Sequence, residues 1–454
     1  MSSEPLTTAA PVADADSILS PRYRATTLGM VALVSLHAFE ALAVAAAMPT
    51  VAQALDGLRL YALAFGGTLA TSVVGMTLAG HWSDEKGPAK PLWLGLGCFV
   101  AGLLVAGLAR HMPVLVLGRL LQGLGAGAIS VSLYVLVGRG YPESLRPRVF
   151  AAFSAGWVVP SLVGPAISGL IVQHLGWRWV FLAVPFLALP AAWLLRPALR
   201  RVQVSAPPAA SRPSAAGWAC GAAVGALLLY VSGQYNGWPA AAWGAPALVI
   251  LLSCSWKLLP AGTLRLRRGL PSVIALRGIA ASAFFGCEAF LPLLLQRERG
   301  LTPLLAGVAL SLGALGWFSG SWFQGHQRRA WSRPQLLHAG GLMMCAGIIA
   351  TALALQPGVP LWLALAGWTL TGLGMGLIYP SLSVLTLSLS PPAQQGANSS
   401  ALQLSEALAV ATTLAVSGAV FAVMLDGDVV LGYLLIFGVM LGLAALGVVV
   451  ARRV

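Results

Sequence analysis

The sequence predicts an all-α protein that crosses a membrane many times. Apolar runs of about 20 residues, the length needed to span the hydrocarbon core of a bilayer, recur along the whole chain. Hydrophobic residues make up 58% of the 454 residues and charged residues only 9%, whereas soluble domains carry about 25% charged residues. The basic residues fall in short gaps between the apolar runs, as membrane topology requires. The formal charge of +14 therefore needs no nucleic-acid partner.

Counting one crossing for each apolar run predicts fourteen spans, arranged as six, two and six. In order, these spans cover residues 26–48, 61–80, 92–109, 113–137, 149–172, 178–195, 216–234, 240–259, 273–295, 302–323, 335–355, 359–388, 396–423 and 429–450.

The same spacing divides the chain into four regions. Residues 1–25 begin with small and polar side chains, so we expect a disordered cytosolic tail rather than a cleaved signal. Residues 26–196 are expected to form an N-terminal six-helix bundle. A linker rich in Pro, Ala, Arg and Ser, with two extra transmembrane helices, occupies residues 197–272, and residues 273–454 form a C-terminal six-helix bundle.

The basic residues predict that both termini are cytosolic. In this orientation the cytosolic gaps and tails carry about four times as many basic residues as the opposite gaps, and an odd number of spans would destroy the asymmetry. Arg277, near the start of the ninth span, is counted with the cytosolic group. We expect a multi-pass protein of the cytoplasmic (inner) membrane whose basic face attracts anionic membrane lipids.

Glu40 places a carboxylate inside the first apolar run. An ionised acid at the centre of a membrane helix costs about 2.5–3.5 kcal/mol, so it must face a protein interior or a water-filled cavity. His37, Glu40 and Val44 share one helix face. We interpret Glu40 as a proton-binding group beside a transport cavity. The alternative is a carboxylate that only holds neighbouring helices together.

Glu288 and Glu406 are the other two acids that lie well inside spans. Left ionised in lipid, the three acids together would cost on the order of 8–10 kcal/mol, which excludes lipid exposure. A pocket of low dielectric constant favours the neutral form of a carboxyl group, and this suits reversible protonation. For each of the two residues a hydrogen-bonded packing role is the alternative.

Arg119 is the one cation that we predict to be buried within the membrane. Arg119, Gln122 and Ala126 share a face, while Gly123 and Gly127 allow close approach of another helix. A buried guanidinium needs a partner, and the carboxylate of the first span is the obvious one. Protonation of Glu40 and its pairing with Arg119 would then compete, which makes a switch; a static ion pair is the alternative.

Two further segments contain glycine and proline at informative positions. Gly164, Pro165 and Gly169 lie in the fifth span, where proline kinks a helix and glycine permits tight packing. A charged segment with Gly80, Asp84 and Gly87 lies between the second and third spans. It is interpreted either as a gating loop, with Asp84 accepting hydrogen bonds from a helix N-terminus, or as a solvated connector.

Together these segments resemble the major facilitator superfamily. The segment from Gly80 to Gly87 resembles its loop between spans two and three, although Pro88 and Ala89 replace the usual basic pair. The run from Arg119 to Gly123 is similar to the motif of span four, and the run from Gly164 to Gly169 to the antiporter motif of span five. The six-two-six count and the segment from Glu40 to Pro49 resemble the fourteen-span drug:H⁺ antiporter branch.

The resemblance implies two six-helix bundles related by a pseudo-two-fold axis, with two extra helices at the periphery. The bundles would rock around a midplane cavity. The cavity residues that it implies are His37, Tyr134, Trp157, Tyr379 and Gln403, with Glu40, Glu288, Glu406 and Arg119 coupling protons.

The expected function is therefore proton-coupled export of small amphipathic or cationic compounds, in the manner of multidrug efflux, by alternating access. The alternative is a transporter of the same fold for a specific metabolite, acting as importer or exporter. A small-molecule substrate, protons and lipids are the expected partners, and we expect a monomer.

No cofactor, metal or enzymatic activity is expected. The five cysteines show no CxxC or Cys/His spacing, so no disulfide or metal site is predicted. The pattern His37-x-x-Glu40 suggests a metal-dependent intramembrane enzyme, but no second pair of ligands accompanies it.

Overall fold

The computed structural model describes residues 17–142, 145–201, 214–233, 235, 238–326, 331–391, 395–425 and 427–454. Within these ranges the regular secondary structure is helical, so the predicted all-α polytopic class is confirmed. Most of the predicted N-terminal tail, residues 1–16, and residues 202–213 of the predicted linker lie outside the described residues.

The helices are labelled in chain order. They are α1 (Arg24–Ala54), α2 (Leu63–Lys86), α3 (Ala89–Gly107), α4 (Met112–Gly140), α5 (Arg146–His174), α6 (Arg178–Leu182), α7 (Val184–Trp193), α8 (Arg196–Arg201), α9 (Ser214–Ser232), α10 (Trp238–Leu258), α11 (Leu270–Arg297), α12 (Pro303–His326), α13 (Arg333–Ala352), α14 (Leu361–Ser388), α15 (Gln395–Met424) and α16 (Val429–Val450).

Eleven helices in the described part of the chain are long and apolar enough to cross a membrane, and a bent α5 makes twelve. The two segments of α5, Arg148–Ser161 and Val163–His174, meet at 40°. Pro165 has no N–H to donate to the carbonyl of Ser161, so the helical hydrogen bonding is interrupted at this point. The kink that the fifth span predicts is present.

The predicted count of fourteen spans is not confirmed. The sixth and seventh predicted spans coincide with apolar helices that are shorter than a full crossing, Arg178–Trp193 and Ala216–Ser232. The first is divided between α6 and α7 near Ala183. A run of apolar residues sets the upper length of a helix, whereas the local breaks decide how much of it forms one straight crossing.

The helices form two groups, one that contains α1 and one that contains α11. In the N-terminal half α1 packs against α5, and α4 packs against α2 and α3; in the C-terminal half α11 packs against α15 and α16, and α14 against α12 and α13. The halves meet along α5 with α12 and along α2 with α15. A Cβ at Gly307 of α12 would collide with the Pro165 carbonyl oxygen, so this glycine permits the close approach of the halves.

The α9–α10 hairpin packs on the contact between α2 and α15. Helix α9 packs on α2 of one half and on α15 of the other. The hydroxyl of Tyr230 donates to the carbonyl oxygen of Arg59, 3.2 Å away, and the same ring packs against Gly418 of α15. The hairpin therefore contacts both halves.

The halves are joined near the C-terminal ends of α1 and α11. Thr50 Oγ1 donates to Gln296 Oε1 at 3.2 Å, and the Tyr61 hydroxyl donates to the Ala289 carbonyl oxygen at 2.5 Å. The predicted topology puts these ends on the outer side of the membrane. The structure is thus closed where we predict the outer face to be.

The segment between the second and third predicted spans differs from the prediction. Helix α2 continues to Lys86, so Gly80 and Asp84 lie within its last turns and not in a loop. The side chain of Asp84 lies outside the described residues. Gly87 ends the helix with φ +79°, a conformation that favours glycine. A polar, charged sequence is compatible with a helix end as well as with a loop, because nothing in it prevents helical hydrogen bonding.

Candidate functional site

A buried polar cluster links α1 and α4 in the N-terminal half. The guanidinium of Arg119 pairs with the carboxylate of Glu40 through Nη1, and only 5% and 3% of the two side chains is exposed. Gln122 Nε2 donates to the same Glu40 oxygen at 3.0 Å, and its Oε1 accepts from Arg119 Nη1 at 3.0 Å. Arg119 Nε donates to the Ala64 carbonyl oxygen of α2 at 3.0 Å. Glu40 thus pairs with Arg119, as the sequence predicts.

His37 lies one turn before Glu40 and contacts α3 and α5. Its ring packs edge-on against Phe99 and Trp157, with 6.0 Å between ring centroids in each case. Its Nδ1 is buried and has no hydrogen-bond partner among the described residues. The structure thus brings two of the predicted cavity residues, His37 and Trp157, into contact.

A second charged cluster lies in the C-terminal half. Arg277 Nε of α11 donates to Glu406 Oε2 of α15 at 2.7 Å. The Tyr379 hydroxyl of α14 donates to both Glu406 oxygens, at 3.0 and 3.2 Å. The Arg277 guanidinium lies 3.0 Å from the centroid of the Tyr379 ring, a cation–π contact. Three helices therefore converge on one carboxylate.

Two predictions about the buried cations are wrong: Arg277 does not lie in a cytosolic gap, and Arg119 is not the one cation buried within the membrane. Arg277 is 4% exposed and lies seven residues inside α11. The signal was present, because the residue falls inside the predicted ninth span. Its position soon after the basic segment at 265–268 is also typical of a cytosolic arginine, and this makes the sequence misleading.

The two ion pairs lie at different depths. Arg119 is seven residues from the start of α4 (119 − 112), and Arg277 is seven residues from the start of α11 (277 − 270), so each is about 10 Å from its helix start. Helix α4 starts near Gly57, just beyond the end of α1, whereas α11 runs parallel to α1. The N-terminal pair is therefore nearer the predicted outer side, and the C-terminal pair nearer the inner side.

Glu288 differs from the other two acids. It is half-buried on α11, and its carboxylate has no hydrogen-bond or ion-pair partner within the part of the chain that the structure describes. Aromatic rings precede it by one turn: Phe284 stacks on Trp368 at 4.9 Å and meets Trp317 edge-on at 5.1 Å. Trp317 in turn lies 4.9 Å from the ring of Tyr379.

Tyr134 and Gln403 complete the set of predicted cavity residues. Tyr134 is 43% exposed, and its ring packs on Phe150 at 5.1 Å and Phe153 at 6.2 Å. Gln403 lies one turn before Glu406, is half-buried, and makes no side-chain hydrogen bond to a described residue.

The predicted antiporter segment lies where α5 contacts two helices. Gly164 faces Phe39 of α1, and Gly169 faces the backbone of Leu304 in α12, with no room for a Cβ. Ser168 Oγ donates to the Ala43 carbonyl oxygen of α1 at 2.6 Å. A movement of α5 relative to α1 and α12 would therefore change the contact between the halves.

Each of the carboxylates of Glu40 and Glu406 can bind either a proton or the guanidinium group of its arginine. A neutral Glu40 or Glu406 no longer attracts its arginine as a charge, so protonation weakens each ion pair and frees the arginine to move. The carboxyl group of Glu288, which has no partner among the described residues, lies one turn after the Phe284 ring. Within the described residues no group of three or more His, Cys, Asp or Glu side chains is placed to hold a metal ion.

This chain is similar in sequence to known membrane transporters. The sequence model described as Major Facilitator Superfamily matches residues 30–413. A probable multidrug-efflux transporter of Mycobacterium tuberculosis is 28% identical over 433 residues, covering 90% of each chain. The puromycin resistance protein pur8 of Streptomyces alboniger is 29% identical over 395 residues, covering 81% of this chain and 75% of its own.

Solved structures of transporters share the fold at low identity. An auto-inhibited peptide transporter of the POT family superposes with a TM-score of 0.70 at 17% identity, over 94% of this chain and 97% of that one. A D-xylose–proton symporter gives a TM-score of 0.66 at 16% identity, over 93% and 96%.

Proposed function

This chain belongs to the major facilitator superfamily, and from that premise we propose that it is a proton-coupled exporter of small amphipathic or cationic compounds that works by alternating access. The observation that carries the proposal is the buried cluster of Glu40, Arg119 and Gln122. A charged carboxylate kept this far from water needs a cation beside it, and a proton can take the place of that cation.

The N-terminal cluster acts as the coupling switch. When Glu40 is ionised, Arg119 and Gln122 hold α1 against α4. When a proton neutralises Glu40, the attraction is lost and the buried guanidinium of Arg119 must find other acceptors, such as the Ala64 carbonyl oxygen that it already contacts. Proton binding therefore favours a different packing of α1 and α4.

The C-terminal cluster acts as a second proton site. Glu406 is more accessible than Glu40, since 19% of its side chain is exposed, and it holds Arg277 and Tyr379. Protonation of Glu406 would release Arg277 from α15. Rocking of the halves would open both clusters in turn to the outer and to the inner side, so each can take up a proton from outside and release it inside.

The substrate occupies the chamber between the halves. Glu288 lies one turn after Phe284, which packs on the half-buried ring of Trp317, and a carboxylate near an aromatic ring suits a lipophilic cation. Both arginines are engaged by carboxylates, so the charge left over in the chamber is negative. His37, Tyr134, Trp157 and Gln403 are proposed to line the same chamber.

The cycle uses the proton gradient as its energy source. In the outward state Glu40 and Glu406 take up protons and substrate leaves; in the inward state protons leave and substrate enters. The membrane potential adds about 2.3 kcal/mol per inward charge for each 100 mV. The names of the similar proteins, multidrug efflux and puromycin resistance, support the export direction.

The proposal also covers the number of membrane crossings and the orientation of the chain. We assign the chain to the fourteen-span drug:H⁺ antiporter branch, in the inner membrane with both termini cytosolic, and count Arg178–Trp193 and Ala216–Ser232 as short crossings. The last turns of α2 with Gly87 are assigned a gating role, and Gly164, Pro165 and Gly169 the role of hinge.

Proteoliposomes with an imposed pH gradient test the proposal. We expect Glu40→Gln to abolish uphill transport of tetraphenylphosphonium and substrate-induced proton release, while the purified variant keeps its elution profile. Glu298→Gln is the matched control, because this exposed residue lies at the end of α11, outside both clusters. Undiminished proton release by Glu40→Gln, or equal loss in the control, would reject the assignment of Glu40.

A carrier for an anionic metabolite is less well supported. Such a substrate needs a cationic group that is free to bind it, and the two buried arginines are already paired, Arg119 with Glu40 and Arg277 with Glu406. Counterflow of organic anions in the same vesicles is the direct test of this alternative.

A further inference from the structure

The loop between α10 and α11 brings together two basic segments that are far apart in sequence. The first contains Arg265, Arg267 and Arg268; the second, which follows α16, contains Arg452 and Arg453. Arg453 Nη1 donates to the Leu266 carbonyl oxygen at 3.1 Å, and the Gly269 N–H donates to the Arg453 carbonyl oxygen at 3.0 Å. We call these five exposed residues the arginine cluster.

The loop that carries the cluster has a defined conformation. Leu266 has φ +52°, which is unfavourable for a branched side chain, and Gly262 and Gly269 have φ +92° and +84°. Ser272 Oγ fixes the other end of the loop by donating to the Arg267 carbonyl oxygen at 2.6 Å. Such a backbone persists where its surroundings hold it, and here they point several guanidinium groups outward from one small surface.

No acidic side chain among the described residues neutralises the cluster. The sequence contains no Asp or Glu from residue 144 to 287 or from residue 429 to the last residue given. No ion pair joins any of the five arginines to a described carboxylate. The surface therefore has a strong excess of positive charge and can bind an anion.

An apolar surface leads away from the cluster along α10. Val249, Leu252 and Trp256 share one face of this helix and are 63%, 49% and 47% exposed. Arg265 lies over the Trp256 ring at 4.8 Å, so the arginine cluster and the apolar face are continuous. A free phosphate ion would use only the charges, whereas a phospholipid would use both surfaces.

We propose that this surface binds one anionic phospholipid. The headgroup phosphate binds the arginine cluster, and an acyl chain lies along the face of α10 formed by Val249, Leu252 and Trp256. Because Arg265 belongs to the loop after α10 and Arg453 to the segment after α16, the lipid ties the α9–α10 hairpin to the C-terminal half. The inference does not depend on the proposed transport activity.

Native mass spectrometry of the purified protein with phosphatidylglycerol tests the proposal. We expect one phosphatidylglycerol to remain bound and phosphatidylcholine to be lost. Each arginine removed is expected to weaken binding about fivefold, so Arg265→Gln/Arg267→Gln/Arg268→Gln should bind about 100-fold more weakly. The charge-preserving Arg265→Lys/Arg267→Lys/Arg268→Lys variant should retain most of the affinity. It is the variant to measure if the glutamine variant does not fold.

A matched control separates a site from the general charge of this face. Arg22→Gln/Arg24→Gln/Arg148→Gln removes three exposed arginines near the starts of α1 and α5, on the side predicted to be the same. Equal loss of lipid in this control would overturn the proposal in favour of diffuse attraction. Equal thermal stabilisation by inorganic phosphate alone would overturn it in favour of a free-anion site, and so would retention of phosphatidylcholine.

Discussion

The two halves of the molecule each contain a carboxylate paired with an arginine, but in different surroundings. In the N-terminal half the Glu40 and Arg119 side chains are 3% and 5% exposed, and the amide of Gln122 bonds to both. In the C-terminal half the Glu406 side chain is 19% exposed and its additional partner is the phenol of Tyr379. The N-terminal pair is sealed among packed helices, whereas part of the Glu406 side chain in the C-terminal pair is exposed.

This difference shows how similar charges can serve different purposes. A sealed pair is expensive to break, because removing one partner leaves an uncompensated charge without water. A pair that reaches water is screened and can exchange its proton more easily. We therefore expect the N-terminal cluster to control which packing the helices adopt, and the C-terminal cluster to respond first to protons and substrate.

Replacing the two buried arginines one at a time should change the stability of the protein by different amounts. Arg119→Met should destabilise the purified protein by about 3–5 kcal/mol, since it leaves Glu40 buried without its cation. Arg277→Met should cost clearly less, because Glu406 retains Tyr379 and contact with solvent. Thermal unfolding in detergent measures both, with Glu40→Gln/Arg119→Met as the control that removes both charges. Equal losses for the two single variants would contradict the comparison.

A glycine between the halves is expected to have the next largest effect. Gly307→Ala places a methyl group against the Pro165 carbonyl oxygen, and such overpacking typically costs about 1–3 kcal/mol. The outer-closed arrangement should lose population by about 10- to 100-fold relative to a state in which α5 and α12 separate. A Thr50→Cys reporter should then react faster with a membrane-impermeant maleimide; the reporter combined with Gly438→Ala, where a Cβ meets no neighbour, is the control. An unchanged labelling rate would disagree with this expectation.

Tyr379→Phe tests the contribution of the phenol hydroxyl in the C-terminal cluster. The change deletes the hydroxyl that donates to Glu406 and keeps the ring beneath Arg277. Loss of a hydrogen bond to a charged group should cost about 1.5 kcal/mol. The pH at which transport is half-maximal should shift in this variant and stay constant in Tyr235→Phe, whose ring is exposed beyond α9. A shift of equal size in both variants would exclude a specific role for Tyr379.

Glu288→Gln should have the smallest effect on stability and a selective effect on transport. Because its carboxylate has no partner among the described residues, we expect the free energy of unfolding to change by no more than about 0.5 kcal/mol. Efflux of tetraphenylphosphonium should fall, while efflux of a neutral dye continues. If both fall together, Glu288 belongs to the proton pathway rather than to the recognition of charge.

The sequence was sufficient for the N-terminal cluster and insufficient for the C-terminal one. Glu40 and Arg119 each lie deep inside a long apolar run, so the cost of burial alone predicts that they pair. Arg277 falls inside the predicted ninth span, but it lies near a helix start soon after other basic residues, a position that is also typical of a cytosolic arginine. The hydroxyl of Tyr379 and the carboxylate of Glu406 meet only because α14 and α15 pack side by side.

The helical class, the kink at Pro165 and the need of Glu40 for a partner are all predictable from the amino-acid sequence, because hydrophobic length, a missing N–H and the cost of a buried charge are properties of short segments. The packing of the helices was needed to show that Arg277 binds a carboxylate 129 residues away and that Arg453 contacts the loop before α11. Those contacts depend on which helices lie next to each other, and local composition does not specify that arrangement.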